Sequence, residues 1–236
     1  MKIVLNLIAT NKYLSFLDII CPSIEEFFFP GTDVTAIVHT NLDLPESLVE
    51  YKRIKFIKNE IQHEPWPFTT LKRFEYFLSA RKELFENDYC FYIDVDSLFV
   101  KELSVDMLPP RGMIGTIHPC LFVGPGSPER NPESKACIPI GSDSRYFCGG
   151  FFGGSSGEFI KMSESILENI QDDLARGIIA AWHDESHLNR YFYDNPPALV
   201  LDHPFAAAEN LTSIREESKV LFLDKSTRGG HDFFRS

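Results

Sequence analysis

The sequence has no run of about 18 apolar residues, the length a membrane-spanning helix needs, and it has no internal repeat and no Cys-x-x-Cys pair. Met1 is followed almost directly by an apolar, strand-like run, without the elements of a signal peptide. We therefore expect a cytoplasmic protein without a membrane partner. An odd, scattered set of five cysteines is typical of reduced thiols rather than of a disulfide framework: Cys21, Cys90, Cys120, Cys137 and Cys148.

Positive charge is also scarce. Lys and Arg number 23 against 34 Asp and Glu, which gives a formal net charge of −11. Such a surface repels phosphate backbones and anionic lipid headgroups, so we expect no nucleic-acid partner. A phosphorylated ligand would need a local counter-charge, either a metal ion or a few placed lysines and arginines.

The first part of the chain alternates between strand and helix patterns. Apolar runs predict strands at Lys2–Ala9, Val34–His39, Arg53–Lys58 and Tyr89–Ile93, and helical spacing predicts helices at Tyr13–Phe29 and Thr69–Leu84. Thr69 or Thr70 is the expected N-cap of the second helix. The alternation predicts an α/β fold with a largely parallel sheet.

The second part begins with a strand-like run at Gly112–Ile117 and a long segment, Pro119–Arg145, that is rich in Pro, Gly and Ser. Loops of this length usually carry function when they are ordered. Further patterns predict strands at Phe147–Phe152, Ala198–Leu201 and Lys219–Leu223 and helices at Ser156–Arg176 and Asp184–Tyr193. Since no linker is evident, we expect a single domain over residues 1–236.

Asp94-Val95-Asp96 directly follows the apolar run that ends at Ile93. Open α/β sheets bind ligands at the carboxyl ends of their strands. Two carboxylates at such an end can share a hard divalent cation, which would stabilise a diphosphate as a leaving group. The alternative is a pair of aspartates that caps a turn or the next helix. The apolar lead-in favours the metal, because an aspartate after five apolar residues should have a partner.

The second polar cluster is Trp182-His183-Asp184-Glu185-Ser186-His187. His183 and His187 have the spacing of helical zinc ligands, but a zinc hydrolase needs Glu directly after the first histidine, where this chain has Asp184. The two carboxylates of this cluster, Asp184 and Glu185, instead suit the binding of a sugar. Glu185 would stabilise or attack an oxocarbenium-like centre and Asp184 would hold hydroxyls. A solvated helix N-terminus remains the alternative.

Three weaker signals fit either ligand binding or ordinary structure. The glycines of segment 148–154 allow close approach of a ligand or of a second backbone. Trp66 suits stacking on a sugar and Arg73 suits bonding to a carboxylate or diphosphate. A basic tail could close over a diphosphate or simply keep the terminus solvated, and it contains Lys225, Arg228 and Arg235.

Together these segments resemble family 6 of the glycosyltransferases, which contains the ABO blood-group transferases, the α-1,3-galactosyltransferases and shorter bacterial relatives. The resemblance runs from about Ile8 to the tail. It rests on Trp66 with Thr70-Leu71-Lys72-Arg73, on Tyr92-Ile93-Asp94-Val95-Asp96, on Gly115-Thr116-Ile117-His118-Pro119, on Gly149-Gly150-Phe151-Phe152-Gly153-Gly154 and on Trp182-His183-Asp184-Glu185-Ser186-His187-Leu188-Asn189.

The resemblance implies a GT-A fold, in which a Rossmann-like nucleotide-binding half (mainly residues 1–100) merges with an acceptor-binding half (mainly residues 101–236). It implies a retaining enzyme that moves GalNAc or Gal from a UDP-sugar to the 3-hydroxyl of a galactoside-terminated glycan, which can be fucosylated. A non-catalytic glycan-binding module on the same scaffold is the rival interpretation. The sequence specifies no oligomeric state.

The resemblance also implies roles for residues. Asp94 and Asp96 would hold Mn²⁺, and Glu185 and Asp184 would be catalytic. The implied donor-binding residues are Ile8, Ala9, Tyr13, Arg73, Asp94, Val95, Asp96, Cys148, Gly149, Gly150, His183, Asp184, Lys225, Arg228 and Arg235. The implied acceptor-binding residues are Trp66, His118, Ser127, Trp182, Glu185 and Glu209.

Comparison with the family pattern bears on the donor and on the metal. The pair that sets donor choice falls on Cys148 and Gly150, and a glycine at the second position leaves room for an N-acetyl group, so GalNAc is the expected donor. Cys148 itself is unusual there, as is Cys120 beside the acceptor histidine. Short microbial members commonly carry Asn-x-Asn and work without metal, whereas the Asp94-Val95-Asp96 of this chain implies metal dependence.

Overall fold

The computed structural model of the chain describes residues 1–119, 126–141, 145–210 and 216–235. Its strands are β1 (Lys2–Ile8), β2 (Asp33–Thr40), β3 (Ile54–Glu60), β4 (Tyr89–Ile93), β5 (Ser97–Phe99), β6 (Met113–Ile117), β7 (Phe147–Ser155), β8 (Leu199–Leu201), β9 (Ala207–Ala208) and β10 (Val220–Phe222). A seven-stranded sheet has the order β3-β2-β1-β4-β7-β6-β8, and a three-stranded sheet has the order β5-β10-β9. The large sheet therefore combines strands from both halves of the chain.

The helices are α1 (Leu17–Phe27), α2 (Phe68–Leu71), α3 (Arg73–Ser79), α4 (Arg81–Phe85), α5 (Ser156–Ala175), α6 (His183–Asp194) and α7 (His231–Arg235). Short 3₁₀ helices lie at Asn11–Phe16, Glu46–Glu50, Val105–Met107, His203–Phe205 and Lys225–Arg228. The α/β class is confirmed. Within the described ranges, no helix has the length and apolar content that crossing a bilayer requires. Cys21, Cys90, Cys137 and Cys148 are all unpaired, and Cys120 lies outside the described residues.

The predicted helix at Thr69–Leu84 is wrong in detail, because three short helices replace it. The backbone leaves the α-helical region at Lys72 (ψ 1°) and at Ala80 (ψ 25°). The expected threonine cap is also wrong. Pro67 holds the N-cap position, and the hydroxyls of Thr69 and Thr70 donate to backbone carbonyls that precede the helix.

The sheet is less parallel than predicted, because β7 runs antiparallel to both of its neighbours, β4 and β6. A parallel pairing needs a crossover connection, usually a helix. The described part of segment 118–146, which joins β6 to β7, contains no α-helix, so the chain turns back on itself. As a result the beginning of β7 lies beside the end of β4, where the Asp94 amide donates to the Gly150 carbonyl (2.8 Å).

Alternate side chains of β4 and β7 fill the two layers of the core, as the period of two along a strand requires. Phe91 and Phe151 stack with ring centroids 6.1 Å apart on the side of α1. Tyr92 and Phe152, with centroids 5.4 Å apart, pack on the opposite side with α3 and α5. The strand that ends directly before Asp94 is therefore held by aromatic packing on both faces.

Gly153 and Gly157 provide a matched test of this packing. A Cβ added to Gly153 would lie 2.2 Å from Cδ1 of Phe91, whereas a Cβ on Gly157, in α5, would meet nothing within 4 Å. We expect Gly153→Ala to lower the free energy of unfolding by about 1–3 kcal/mol or more, because the core must shift. Gly157→Ala should raise it by about 0.4–1 kcal/mol. Urea denaturation measures both, and an unchanged midpoint for Gly153→Ala would contradict this packing.

Candidate active site

Two adjoining cavities of about 210 Å³ and 410 Å³ open where β1 and β4 end. This edge is where open α/β sheets bind ligands, since strand ends and the loops that follow them form a crevice there. Both cavities are lined by Arg73, Asp94, Asp96, Lys225 and His231. The shared lining places the two aspartates of the strand-end motif at the junction between the cavities.

Most of the residues predicted from the sequence line one of these cavities. In the first they are Ile8, Tyr13, Trp66, Arg73, Asp94, Val95, Asp96 and Lys225. In the second they are Arg73, Asp94, Asp96, His118, Cys148, Gly149, Gly150, Asp184, Glu185, Glu209 and Lys225. Of the predicted residues that the structure describes, five line neither cavity: Ala9, Ser127, Trp182, His183 and Arg228. The side chain of Arg235 lies outside the described part of the chain.

Asp94 and Asp96 differ in their surroundings. The Asp94 side chain is 35% exposed, and its Oδ1 accepts a hydrogen bond from the Tyr92 hydroxyl (2.5 Å). Its Oδ2 lies on the side of Gly150, where an added Cβ would be 2.8 Å away. The Asp96 side chain is only 10% exposed and forms an ion pair with Lys225. Burial raises the pKa of Asp96, and the Lys225 ammonium opposes this effect.

This pair fits a divalent metal ion. Both carboxylates line both cavities and offer the hard oxygen ligands that such ions prefer. The raised pKa of Asp96 reflects a buried negative charge that its surroundings compensate only in part. A divalent cation held by these carboxylates would add to the compensation that Lys225 already gives.

Arg73 connects the strand-end motif to the second polar cluster. Its guanidinium lies 4.2 Å from the centroid of the Tyr92 ring and donates to the Gly149 carbonyl. Nη1 is 2.9 Å from Oδ2 of Asp184, and Nη2 is 3.4 Å from Oδ1 of Asp94. Burial raises the pKa of Asp184 to about 7 against the opposing effect of this guanidinium. Arg73 thus holds carboxylates from β4 and α6 in fixed relative positions.

Glu185 is oriented by two donors, Tyr146 directly before β7 and Gly149 within it. Its Oε1 accepts from the Tyr146 hydroxyl (2.6 Å) and its Oε2 accepts from the Gly149 amide (2.7 Å). Burial raises the pKa of Glu185, and these two hydrogen bonds oppose that rise. A carboxylate fixed in this way on a cavity wall can stabilise a positive charge that develops in front of it.

The two histidines of the second cluster have separate surroundings. His183 begins α6, and its ring centroid lies 4.8 Å from that of Trp66. His187 is buried beside Asp173, with 3.6 Å between Nε2 and Oδ2. Neither belongs to a group of metal-ligand side chains among the described residues, so nothing there supports the zinc-hydrolase interpretation. Trp66 and Trp182 are each about half exposed and suit stacking on a sugar.

The tail lies across the first cavity. Phe234 of α7 packs on Tyr13, with ring centroids 5.3 Å apart, and both line that cavity. Lys225 reaches Asp96, but Arg228 forms a bidentate pair with Glu209 (2.6 and 3.0 Å). The tail thus brings Lys225 to the strand-end motif, whereas the charge of Arg228 is paired with that of Glu209.

Three site residues carry no recognisable signal in the sequence. Tyr92 belongs to a motif in which only the aspartates have the chemistry of metal ligands, and Tyr146 directly follows the segment that is rich in Pro, Gly and Ser. Phe222 lies in β10, and an alanine Cβ at Gly150 would be 2.7 Å from its Cε1. The contacts of Tyr146 with Glu185 and of Phe222 with Gly150 join segments far apart in the chain, so only the folded structure reveals them.

Comparison with known proteins identifies relatives. A family model described as "Glycosyltransferase family 6" matches residues 1–226. "Histo-blood group ABO system transferase 1" of Rattus norvegicus is 31% identical over 214 residues, 88% of this chain and 61% of that protein. "O-antigen biosynthesis glycosyltransferase WbnI" of Escherichia coli is 29% identical over 226 residues, 92% of each chain.

The human protein "Globoside alpha-1,3-N-acetylgalactosaminyltransferase 1" is 31% identical over 200 residues, which are 82% of this chain and 57% of that protein. The chain therefore spans about three fifths of the length of these mammalian relatives. It matches nearly the whole length of the E. coli protein.

Tyr92→Phe tests whether the hydroxyl positions Asp94. The change removes the donor to Asp94 but keeps the ring beneath Arg73. For a divalent cation such as Mn²⁺ held by Asp94, we expect the affinity to fall by about tenfold, the typical effect of losing a hydrogen bond to a metal ligand. Electron paramagnetic resonance of unbound Mn²⁺ measures it. Tyr89→Phe is the control, because this tyrosine of the same strand donates to the Pro109 carbonyl instead (2.7 Å). Equal affinities in the two variants would contradict the role of Tyr92.

Proposed function

The chain belongs to glycosyltransferase family 6, and we propose that it transfers GalNAc, or alternatively Gal, from a UDP-sugar to the 3-hydroxyl of a β-galactoside. The linkage formed is α-1,3, with retention of the donor's configuration. The acceptor is the end of a glycan, which can be fucosylated.

One observation carries this proposal: two carboxylate pairs, Asp94/Asp96 and Asp184/Glu185, line a single cavity and are joined through Arg73. Transfer from a nucleotide sugar needs a place for a diphosphate directly beside a place for the anomeric carbon. The first pair suits the diphosphate with its metal ion, and the second suits the sugar. A structural role alone would not require four carboxylates around one cavity in so acidic a chain.

The nucleotide is assigned to the first cavity and to the half of the chain up to about residue 100. Ile8, Tyr13 and Val95 give this cavity apolar walls for uracil and ribose. At its junction with the second cavity, Lys225 and a metal ion held by the aspartate pair would supply the positive charge that faces the diphosphate. The remaining half, 101–236, mainly forms the acceptor side.

A divalent ion, proposed to be Mn²⁺, would be held by Asp94 and Asp96, and when bound it would neutralise the charge that develops on the departing UDP. Three residues of the chain would support this role of the metal site. Tyr92 and Arg73 orient the Asp94 carboxylate. Lys225 provides a fixed positive charge next to Asp96.

Glu185 is proposed to act on the sugar from the second cavity. As UDP leaves, positive charge develops at the anomeric carbon, and the Glu185 carboxylate either attacks this carbon or stabilises it as an ion pair. Tyr146 and Gly149 hold the carboxylate in place. Asp184, positioned by Arg73, binds donor hydroxyls.

The acceptor is proposed to enter the second cavity beside His118 and Glu209. The half-exposed rings of Trp66 and Trp182 would stack on its apolar sugar faces. For the donor, Gly150 holds the position at which, in the family, a glycine leaves room for an N-acetyl group. Packing against Phe222 and Asp94 also requires glycine there, independently of the donor. We therefore place GalNAc before Gal.

The function is tested by UDP release from UDP-GalNAc and UDP-Gal, with Mn²⁺ or with EDTA, over a panel of β-galactosides. We expect release that depends on both acceptor and metal and is faster with UDP-GalNAc. Acceptor binding without UDP release from either donor in Mn²⁺ would support a glycan-binding module instead. Full activity in EDTA would remove the metal role of Asp94 and Asp96.

Glu185→Gln tests the catalytic assignment. The amide keeps the size of the side chain but loses its negative charge, so we expect kcat to fall by about 100-fold or more while UDP affinity, measured by calorimetry, changes little. Glu164→Gln, at a half-exposed position of α5 paired with Arg81, is the control and should behave like wild type. Near-normal turnover in Glu185→Gln would exclude Glu185 from the mechanism.

A further inference from the structure

A second group of potential metal ligands lies in the second cavity. His118, Cys148 and Glu185 each offer one ligand atom, and these atoms all lie within 4.8 Å of one another. We propose that the three side chains form a binding site for a borderline-soft divalent cation such as Zn²⁺, distinct from the Asp94/Asp96 pair, and that occupancy of this site inhibits the enzyme.

The ligand set separates this site chemically from the aspartate pair. A thiolate, an imidazole and a carboxylate together are the ligands of zinc, whereas Mn²⁺ and Mg²⁺ prefer oxygen alone. Zinc bonds of about 2.0–2.3 Å place neighbouring ligands of a tetrahedral ion about 3.3–3.8 Å apart. His118 Nε2 and Glu185 Oε2 are already 3.9 Å apart. The widest pair of ligand atoms would have to close by about 1 Å.

The ligands come from three elements that other contacts already hold. Cys148 lies in β7, His118 follows β6, and Glu185 lies in the first turn of α6. The Gly150 amide donates to Sγ of Cys148 (3.2 Å), and Tyr146 and Gly149 donate to the two oxygens of Glu185. Outer hydrogen bonds of this kind orient metal ligands and strengthen binding.

The site faces the cavity rather than the core, since all three side chains line it. A tetrahedral ion with three protein ligands keeps one position for water, as in zinc sites that remain open to solvent. Binding deprotonates the Cys148 thiol and releases that proton to solvent. The ion also engages the Glu185 carboxylate, so this group can no longer face the anomeric carbon. Inhibition therefore rests on the proposed function, whereas cation binding does not.

Binding is tested with Co²⁺, a spectroscopic substitute for Zn²⁺, on the full chain without donor or acceptor. We expect a thiolate-to-cobalt charge-transfer band that Zn²⁺ abolishes by displacing cobalt. The band should be lost in Cys148→Ser and kept in Cys137→Ser, which changes another unpaired cysteine. Absence of the band in wild type, or its persistence in Cys148→Ser, would overturn the site. If Cys148→Ser does not fold, His118→Asn should instead weaken cobalt binding by about tenfold or more, and unchanged binding would overturn it.

Inhibition is measured by UDP release at saturating Mn²⁺ with increasing Zn²⁺, each variant being compared with its own zinc-free rate. We expect Cys148→Ser to need at least about tenfold more Zn²⁺ for half-inhibition than wild type or Cys137→Ser. Equal sensitivity of all three would overturn the inhibitory role. If no transfer occurs in any condition, the proposed function fails, while the cobalt band still reports on the site.

Discussion

The buried guanidinium of Arg73 is the interaction on which the site depends. It lies between Asp94, which follows β4, and Asp184, in the first turn of α6, and it also contacts the Gly149 carbonyl of β7. Carboxylates buried without a compensating cation are unfavourable by several kcal/mol. The fold can therefore bring these elements together only with a cation in their midst. Arg73 is the first residue of α3, directly after the break at Lys72.

The reversal of β7 is the second requirement. Because this strand runs antiparallel to β4, its first residues, rather than its last, lie beside Asp94. The glycines of β7 then allow other side chains to approach its backbone closely. Phe222 and Asp94 pack against Gly150, and Glu185 packs against Gly149, where an added Cβ would lie 3.1 Å from the Cβ of Glu185. The Gly149 amide donates to the Glu185 carboxylate. Backbone geometry thus sets the separation between the place for the diphosphate and the place for the sugar.

The same compact arrangement brings two different ligand chemistries into one cleft. The oxygen ligands of the aspartate pair and the mixed sulfur, nitrogen and oxygen set around Glu185 line the same cavity. The chain is strongly acidic, so an anionic ligand needs positive charge in the cleft. Arg73 and Lys225 each already form an ion pair with a carboxylate. A bound cation is consequently the natural counter-charge for an anionic ligand.

The sequence by itself determined the α/β class and most of the strands, because hydrophobic period is a local property. The polar motifs at Asp94-Val95-Asp96 and Asp184-Glu185 were also visible in it, whereas many other cavity-lining residues, such as Ile8, Tyr13 and His118, were implied only by the family resemblance. The sequence did not determine the direction of β7, the breaks in the helix after Trp66, or the partners of Arg73 and Glu185. Those depend on contacts between segments tens of residues apart, such as Tyr146 with Glu185 and Gly150 with Phe222. Only tertiary packing decides them, since each side chain's position is set by the neighbours that the fold brings to it.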